Sequence, residues 1–245
     1  MSGDDDSCEL VAVRIEKTSA NSRRIAGDIT VPAPIDDVWA ILTDYDRLSI
    51  HVPNLIESKI VQKQSTGKGG DGNYKCRLFQ RGAQKIIGFD FSASVTMDMT
   101  EQIVTAASTQ EANGIVRQDR RINFKCVDSQ FFGVFDGYWK VKEQMGPDGL
   151  ETLCTYVVDV KPKGPVPVAA LEWRIREDVP TNLRAVKASA LKSLYGLQAG
   201  AQLPAMNLVA NGAQALNGSL QGRQQAVNAL LNMDWDRDET MGKYL

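Results

Sequence analysis

Few residues in this 245-residue chain are equipped for acid–base or nucleophilic chemistry, and their spacing limits what that chemistry could be. The only histidine, His51, lies in Arg47-Leu-Ser-Ile-His-Val-Pro53. An imidazole titrates near neutrality, so His51 would suit a general base at a cavity mouth. No cluster of metal ligands surrounds it, and the sequence places no Ser and Asp beside it, so a surface or capping role is expected. Arg77, Arg81, Arg117, Arg120 and Arg121 fall on strand-like segments. Most are expected on a solvated sheet face, while one or two turned inward would offer a guanidinium fork to a ligand carboxylate or carbonyl. Asp90 and Asp98 share the polar parity of one strand, which argues against a proton-sharing pair, and Glu172, Arg174 and Arg176 read as surface ion pairs. Gly67-Lys-Gly-Gly-Asp-Gly72 lacks the GxxxxGK[ST] order of a phosphate loop and joins two strands, so it reads as a hairpin loop. Cys8, Cys76, Cys126 and Cys154 have no CxxC spacing and read as reduced core thiols of a reducing compartment. The sequence therefore leans away from an enzyme, and it nominates no catalytic residue, metal site or cofactor.

The elements that must position these residues are legible from periodicity. Leu10 to Ile15 and Arg24 to Val31 are strand-like. A short helix follows in Val31-Pro-Ala-Pro-Ile-Asp-Asp-Val-Trp-Ala-Ile-Leu-Thr-Asp-Tyr45, with Ile35, Val38, Trp39 and Leu42 on one face. Pro34 suits a first helical turn, and Asp36 and Asp37 sit where the helix dipole favours negative charge. From Ile87 to Met99 apolar and polar residues alternate without a break, which predicts one dry and one wet face and a strand long enough to curl. Strands are further expected over Leu55 to Gln62, Asn73 to Phe79, Gln102 to Thr109, Ile115 to Cys126, Phe132 to Val141 and Thr152 to Lys161, with turns at Gly67 to Gly72, Asn113-Gly114 and Gly146 to Gly149. From Val168 the period becomes helical through Leu171, Ile175, Val179, Leu183, Val186, Ala190 and Leu194, with Pro180 expected to kink or split the helix. That order predicts an α+β fold, helices against one face of an antiparallel sheet.

Composition narrows the function classes. A formal net charge of −2 with scattered Lys and Arg argues against nucleic acid as a partner. No apolar run approaches a membrane-spanning length, and the acidic Met1 to Cys8 stretch lacks the basic-then-apolar order of a signal peptide, so a soluble chain with no readable address is expected. Three regions are predicted: an N-terminal segment over 1–23 with an edge strand, a main domain over 24–196 and a low-charge tail over 197–245. Val227, Leu230, Leu231 and Trp235 in that tail make 221–245 a candidate docking segment for a protein partner, against the alternative of a mobile tail.

Several strings resemble a known family. Val31 to Tyr45 followed by Val52-Pro-Asn-Leu55 is similar to the opening of the polyketide cyclase/dehydrase and coenzyme-Q-binding branch of the START-like (SRPBCC, birch-allergen-like) superfamily. Tyr156-Val-Val-Asp-Val-Lys-Pro162 resembles the last strand of its plastid and cyanobacterial members, and Arg176-Glu-Asp-Val-Pro-Thr-Asn-Leu-Arg-Ala185 their last helix. The resemblance covers Arg24 to Leu194 and implies the helix-grip fold, a curved antiparallel sheet wrapped around a long C-terminal helix with two short helices closing one end. It also implies an apolar cavity for a lipid, quinone, isoprenoid or pigment, with transient membrane contact and a plastid location as secondary expectations.

A core and a ligand cavity use the same residue types, but one helix about 10 Å wide cannot cover a strand face this long, so the concavity is either filled or left open. The candidate lining is Trp39 and Tyr45 at the closing end, and Phe89, Phe91 and Met97 on the long strand. Trp139 and Tyr156 are candidates on later strands, and Ile175, Val179 and Leu183 on the helix. The leading expectation is binding or transport of a hydrophobic small molecule. The alternatives are a cyclase/dehydrase-type enzyme acting on a polyketide-like substrate, and a scaffold subunit docked through its tail.

Overall fold

The computed structural model describes residues 11–86, 89–110, 116–147, 149–164 and 168–200, with side chains omitted at 83–91, 104–118, 168–171, 173–175 and 197–200. The Asn113-Gly114 turn, Cys8 and the proposed docking segment 221–245 lie outside the described residues, as do the side chains of Phe89, Phe91, Asp90, Arg117, Arg174 and Ile175. The chain divides into two compact units, Met1–Ala190 and Leu191–Leu245. What is described of the second is the end of a helix that begins in the first.

The first unit is a single antiparallel sheet with helices. In chain order the elements are β1 (Val13–Ser19), β2 (Ser22–Val31), α1 (Ile35–Leu42), a 3-10 turn (Tyr45–Arg47), α2 (Leu48–His51), β3 (Leu55–Lys63), β4 (Lys75–Ile86), β5 (Phe89–Gln110), β6 (Val116–Asp128), β7 (Phe132–Gly146), β8 (Gly149–Pro162) and α3 (Val168–Gly200). The sheet order is β1-β2-β8-β7-β6-β5-β4-β3. Strands β3 to β8 form a meander, and β8 closes back on β2, pairing Ile25 with Val158 and Ile29 with Cys154. The chain passes from β2 to the far edge at β3 through α1 and α2, so the short helices occupy one end of the sheet.

Two sequence-based boundaries need correction. The predicted strands 87–99 and 102–109 are one 22-residue strand, β5, because the polar run Thr100-Glu101-Gln102 continues the ladder, with Glu101 opposite Ile122. β4 runs to Ile86 rather than ending at Phe79, since Gln80, Arg81 and Gly82 hide an alternation that the pairing with β5 nevertheless maintains. Strands of this length coil, and register shifts in the β3/β4 and β5/β6 pairs accommodate the curvature. Helix α3 runs through Pro180 without splitting. Proline removes one hydrogen bond, but Val179, Leu183, Val186 and Ala190 are all buried, and this stripe holds the helix across the gap.

The dry face of the curved sheet carries Ile25, Ile29, Val31, Leu78, Met97, Met99, Ile122, Phe124, Val141, Cys154, Val158 and Val160, all buried. Helix α3 crosses this face at Gly27 of β2, where a Cβ would lie 2.9 Å from both Val179 Cγ1 and Leu183 Cδ1. The absent side chain is what lets the helix sit directly on the strand.

Candidate ligand-binding site

The end of the concavity beneath α1 is organised by a buried carboxylate that sequence reading passed over. Glu101 follows Val95, Met97 and Met99 on the dry parity of β5 and is only 2% exposed. Its oxygens accept hydrogen bonds from Tyr45 Oη at 2.8 Å, Gly70 N at 2.9 and 3.0 Å, and Gly72 N at 3.1 Å. These donors offset much of the cost of burying a charge. Burial still raises the carboxyl above its ordinary value of 4.5, against the downward pull of those same bonds. Burial and the Glu101 charge together raise the Tyr45 hydroxyl, which stays a neutral donor.

The glycine-rich segment is therefore a loop with a built seat. Gly70 and Gly72 have φ of 98° and 77°, which glycine alone adopts without strain, and a Cβ on Gly72 would collide with Ile103. Trp39 Nε1 donates to Gly70 O at 2.9 Å, and the inward Arg120 lies over the Trp39 ring at 5.9 Å while pairing with Asp36. Trp39 and Tyr45 are both almost completely buried. They fasten the loop 64–74 to α1 and β5. Ser58 Oγ donates to Tyr45 O at 2.6 Å and Thr152 Oγ1 to Ala33 O at 2.8 Å, tying the helical crossover to both β3 and β8.

The middle of the concave face is aromatic. Trp139 and Tyr156 are register partners on β7 and β8, with ring centroids 4.5 Å apart. Phe124 of β6 lies 6.0 Å from Tyr156 and 5.8 Å from Phe135. A register shift between Phe132 and Val134 brings Phe132 to 4.9 Å from Phe135. Phe135, Trp139 and Tyr156 point to the dry face yet stay half-buried, whereas Val141, Cys154, Val158 and Val160 on the same two strands are sealed. Had α3 filled the concavity, the large rings would be buried along with the valines. Beside them, Asp178 on α3 accepts a hydrogen bond from Asn54 Nδ2 at 3.0 Å, and its charge together with burial raises the Tyr156 hydroxyl.

Of the predicted lining, the structure brings Trp139 and Tyr156 together and puts Val179 and Leu183 on the helix above the neighbouring strand β2. Met97 is buried on β5, opposite Leu78. Phe124 and Phe135 are additional members; the alternation of Ile122, Phe124 and Cys126 was the signal for the first.

Among the described residues, those weighed for catalysis are engaged elsewhere. His51 Nε2 is 3.3 Å from Asp44 Oδ2, the carboxylate that also holds Arg47. Arg77 forms a two-pronged pair with Asp98 at 2.8 and 3.1 Å, Arg81 pairs with Glu57, and Arg121 stacks on Tyr138 at 3.7 Å. Glu172 accepts bonds from Arg23 and Arg176. Cys76, Cys126 and Cys154 are free thiols, and burial pushes Cys76 and Cys154 up to about 12. Among the described residues no cluster could hold a metal ion, and no helix is long and apolar enough to cross a membrane.

With the sheet, helix and site in place, residues 31–187 match the family profile described as polyketide cyclase/dehydrase and lipid transport. The chain belongs to this family. Its fold is the START-type helix-grip fold, an α+β arrangement of a curved eight-stranded antiparallel sheet and a C-terminal helix. It is similar to human STARD10, with 12% identity over 77% of this chain and 76% of that one and a TM-score of 0.52. It is similar also to a STAR-related lipid transfer protein from Xanthomonas axonopodis, with 16% identity, coverage of 74% and 92% and a TM-score of 0.52. The Zhui aromatase/cyclase from Streptomyces sp. R1128 shows 16% identity, coverage of 71% and 96% and a TM-score of 0.50. At such identities the likeness is one of fold. No curated protein matches the sequence significantly.

Proposed function

We propose that this family member binds a hydrophobic small molecule, of the lipid, quinone, isoprenoid or pigment class, on the concave face between the sheet and α3. The observation that carries the reading is the incomplete burial of Phe135, Trp139 and Tyr156 on a face where smaller neighbours are sealed. Met97, Trp139, Tyr156, Val179 and Leu183 would line the site, with Phe89, Phe91 and Ile175 candidates by parity and period. Trp39 and Tyr45 would close its end. Burial of apolar ligand surface at about 25 cal/mol per Å² would drive binding.

A cyclase or dehydrase needs an inward acid or base with a free lone pair or proton. Among the described residues, Glu101 is tied to the loop, Arg120 to Asp36, Ser58 to Tyr45 and Thr152 to Ala33, and the unpartnered Asn182 amide is neither an acid nor a base. This favours binding over turnover.

Titration with 1-aminoanthracene, a fluorescent apolar probe, tests the reading. Saturable binding of one probe per chain, competed by long-chain alcohols, is expected. Fluorescence that rises without saturation, or that survives in urea-unfolded protein, would return the aromatic cluster to the ordinary core.

A further inference from the structure

Helix α3 holds an unanswered polar group. Asn182 Oδ1 is enclosed and has no hydrogen-bond partner among the described residues. Asn182 lies one helical turn after Asp178 and three residues after Val179, so it borders the stripe that rests on Gly27. The strand position under that stripe, Gly27, is the register partner of Tyr156, and Asp178 on the same edge of α3 is bonded to Asn54. The Tyr156 hydroxyl and the Trp139 indole N–H, whose rings touch at 4.5 Å, likewise form no hydrogen bond to a described residue.

An enclosed amide atom with no partner is unfavourable, and because Asn182 as a whole is only half-buried, a rotation that brings its amide to a ligand gains binding free energy. The amide can turn to present its oxygen or its NH2, so it can meet a hydroxyl or a carbonyl. The indole N–H can only donate, and the Tyr156 hydroxyl can do either. A carboxylate or phosphate would instead lie close to the Asp178 charge, and Arg120, an inward cation among the described residues, is paired with Asp36.

We propose that Asn182 is the orienting residue of the site, and that with Tyr156 and Trp139 it selects an uncharged hydrophobic molecule carrying a hydroxyl or carbonyl group. This rests on the concave face being the ligand site. Selection by such groups is strong because an analogue lacking the polar atom leaves them unpaired.

The test uses two fluorescent probes of nearly equal shape, 2-naphthol and 2-methylnaphthalene, with 2-naphthoate as the charged third. In the full chain, Asn182→Leu should reduce the affinity ratio of 2-naphthol to 2-methylnaphthalene about tenfold. Tyr156→Phe should reduce it in the same direction, and 2-naphthoate should bind more weakly than 2-naphthol. Asn182→Leu should also melt no lower than the parent, because it removes an unpaired polar group. An unchanged ratio in both variants overturns the proposal while leaving the apolar site standing. A variant that unfolds or melts lower makes Asn182 a structural residue and also overturns it. Failure of all three probes to bind the parent removes the apolar site itself, and the proposal with it.

Discussion

Glu101 sets the energetics of the closing end, because a charged group this enclosed is stable only while its donors remain in place. Removing one partner would leave the others facing an unscreened carboxylate, which typically costs several kcal/mol. The raised carboxyl gives this arrangement a pH signature with a definite sign. A folded-state value above the unfolded one means that the native chain holds the proton more tightly. The group's contribution is then full below the ordinary value of 4.5 and is lost as pH rises through the elevated folded value. Asp98 and Glu172, held below the carboxylate range by Arg77 and Arg23, act in the opposite direction, so the whole-protein curve mixes the two. The difference between the parent and Glu101→Gln isolates the site. Urea midpoints measured across pH should show the parent losing ground to the variant from about pH 4.5 upward. A difference that grows with pH would mean that the hydrogen bonds outweigh burial. At neutral pH, Glu101→Gln is itself expected to cost about 1–3 kcal/mol, since one carboxylate oxygen accepts from Tyr45 Oη and Gly70 N and the other from Gly70 N and Gly72 N, while an amide accepts at only one of the two positions.

At the scale of elements, the contact between α3 and β2 depends on Gly27. A methyl group there would approach Val179 and Leu183 to 2.9 Å, closer than packed carbons tolerate, so the helix must shift or the side chains must change rotamer. Gly27→Ala should destabilise the chain by about 1–3 kcal/mol. Leu183→Ala should cost less in the Gly27→Ala background than in the parent, because each change makes room for the other, and strict additivity in a double-mutant cycle would show that the helix is held elsewhere. Elements of this kind were largely legible beforehand. Alternation over Ile87 to Met99 marked the dry face of β5, and the three- and four-residue steps from Val179 to Ala190 marked the buried stripe of α3. What was hidden has a common cause. Glu101 is a polar residue on a dry face, so local pattern reads it as the end of a strand; only the loop amides of Gly70 and Gly72, brought from a distant turn, explain its presence. Asn182 is hidden in the same way, as one more polar residue on a helix until the sheet is laid against it.

For the whole molecule the question is whether the concave face serves as core or as container, and two residues on β7 separate the answers. Val141 and Trp139 point to the same face, two positions apart, opposite Cys154 and Tyr156. Val141 is sealed at 0% exposure, while Trp139 is only half-buried. In a filled core the larger side chain dominates stability, and Trp→Ala would exceed Val→Ala by the ratio of buried surface. In a container the indole divides its surface between the protein and the ligand, so its loss is felt chiefly when ligand is present. Val141→Ala should therefore lower stability by about 1–3 kcal/mol and leave 1-aminoanthracene affinity within about twofold. Trp139→Ala should weaken the probe about tenfold or more. The decisive measurement is probe-induced stabilisation: ligand that binds only the folded chain raises the melting temperature by an amount that grows with the logarithm of its affinity. That rise should persist in Val141→Ala and collapse in Trp139→Ala. If both variants lose stability and binding in parallel, the rings are core, and the family fold is used here without its cavity.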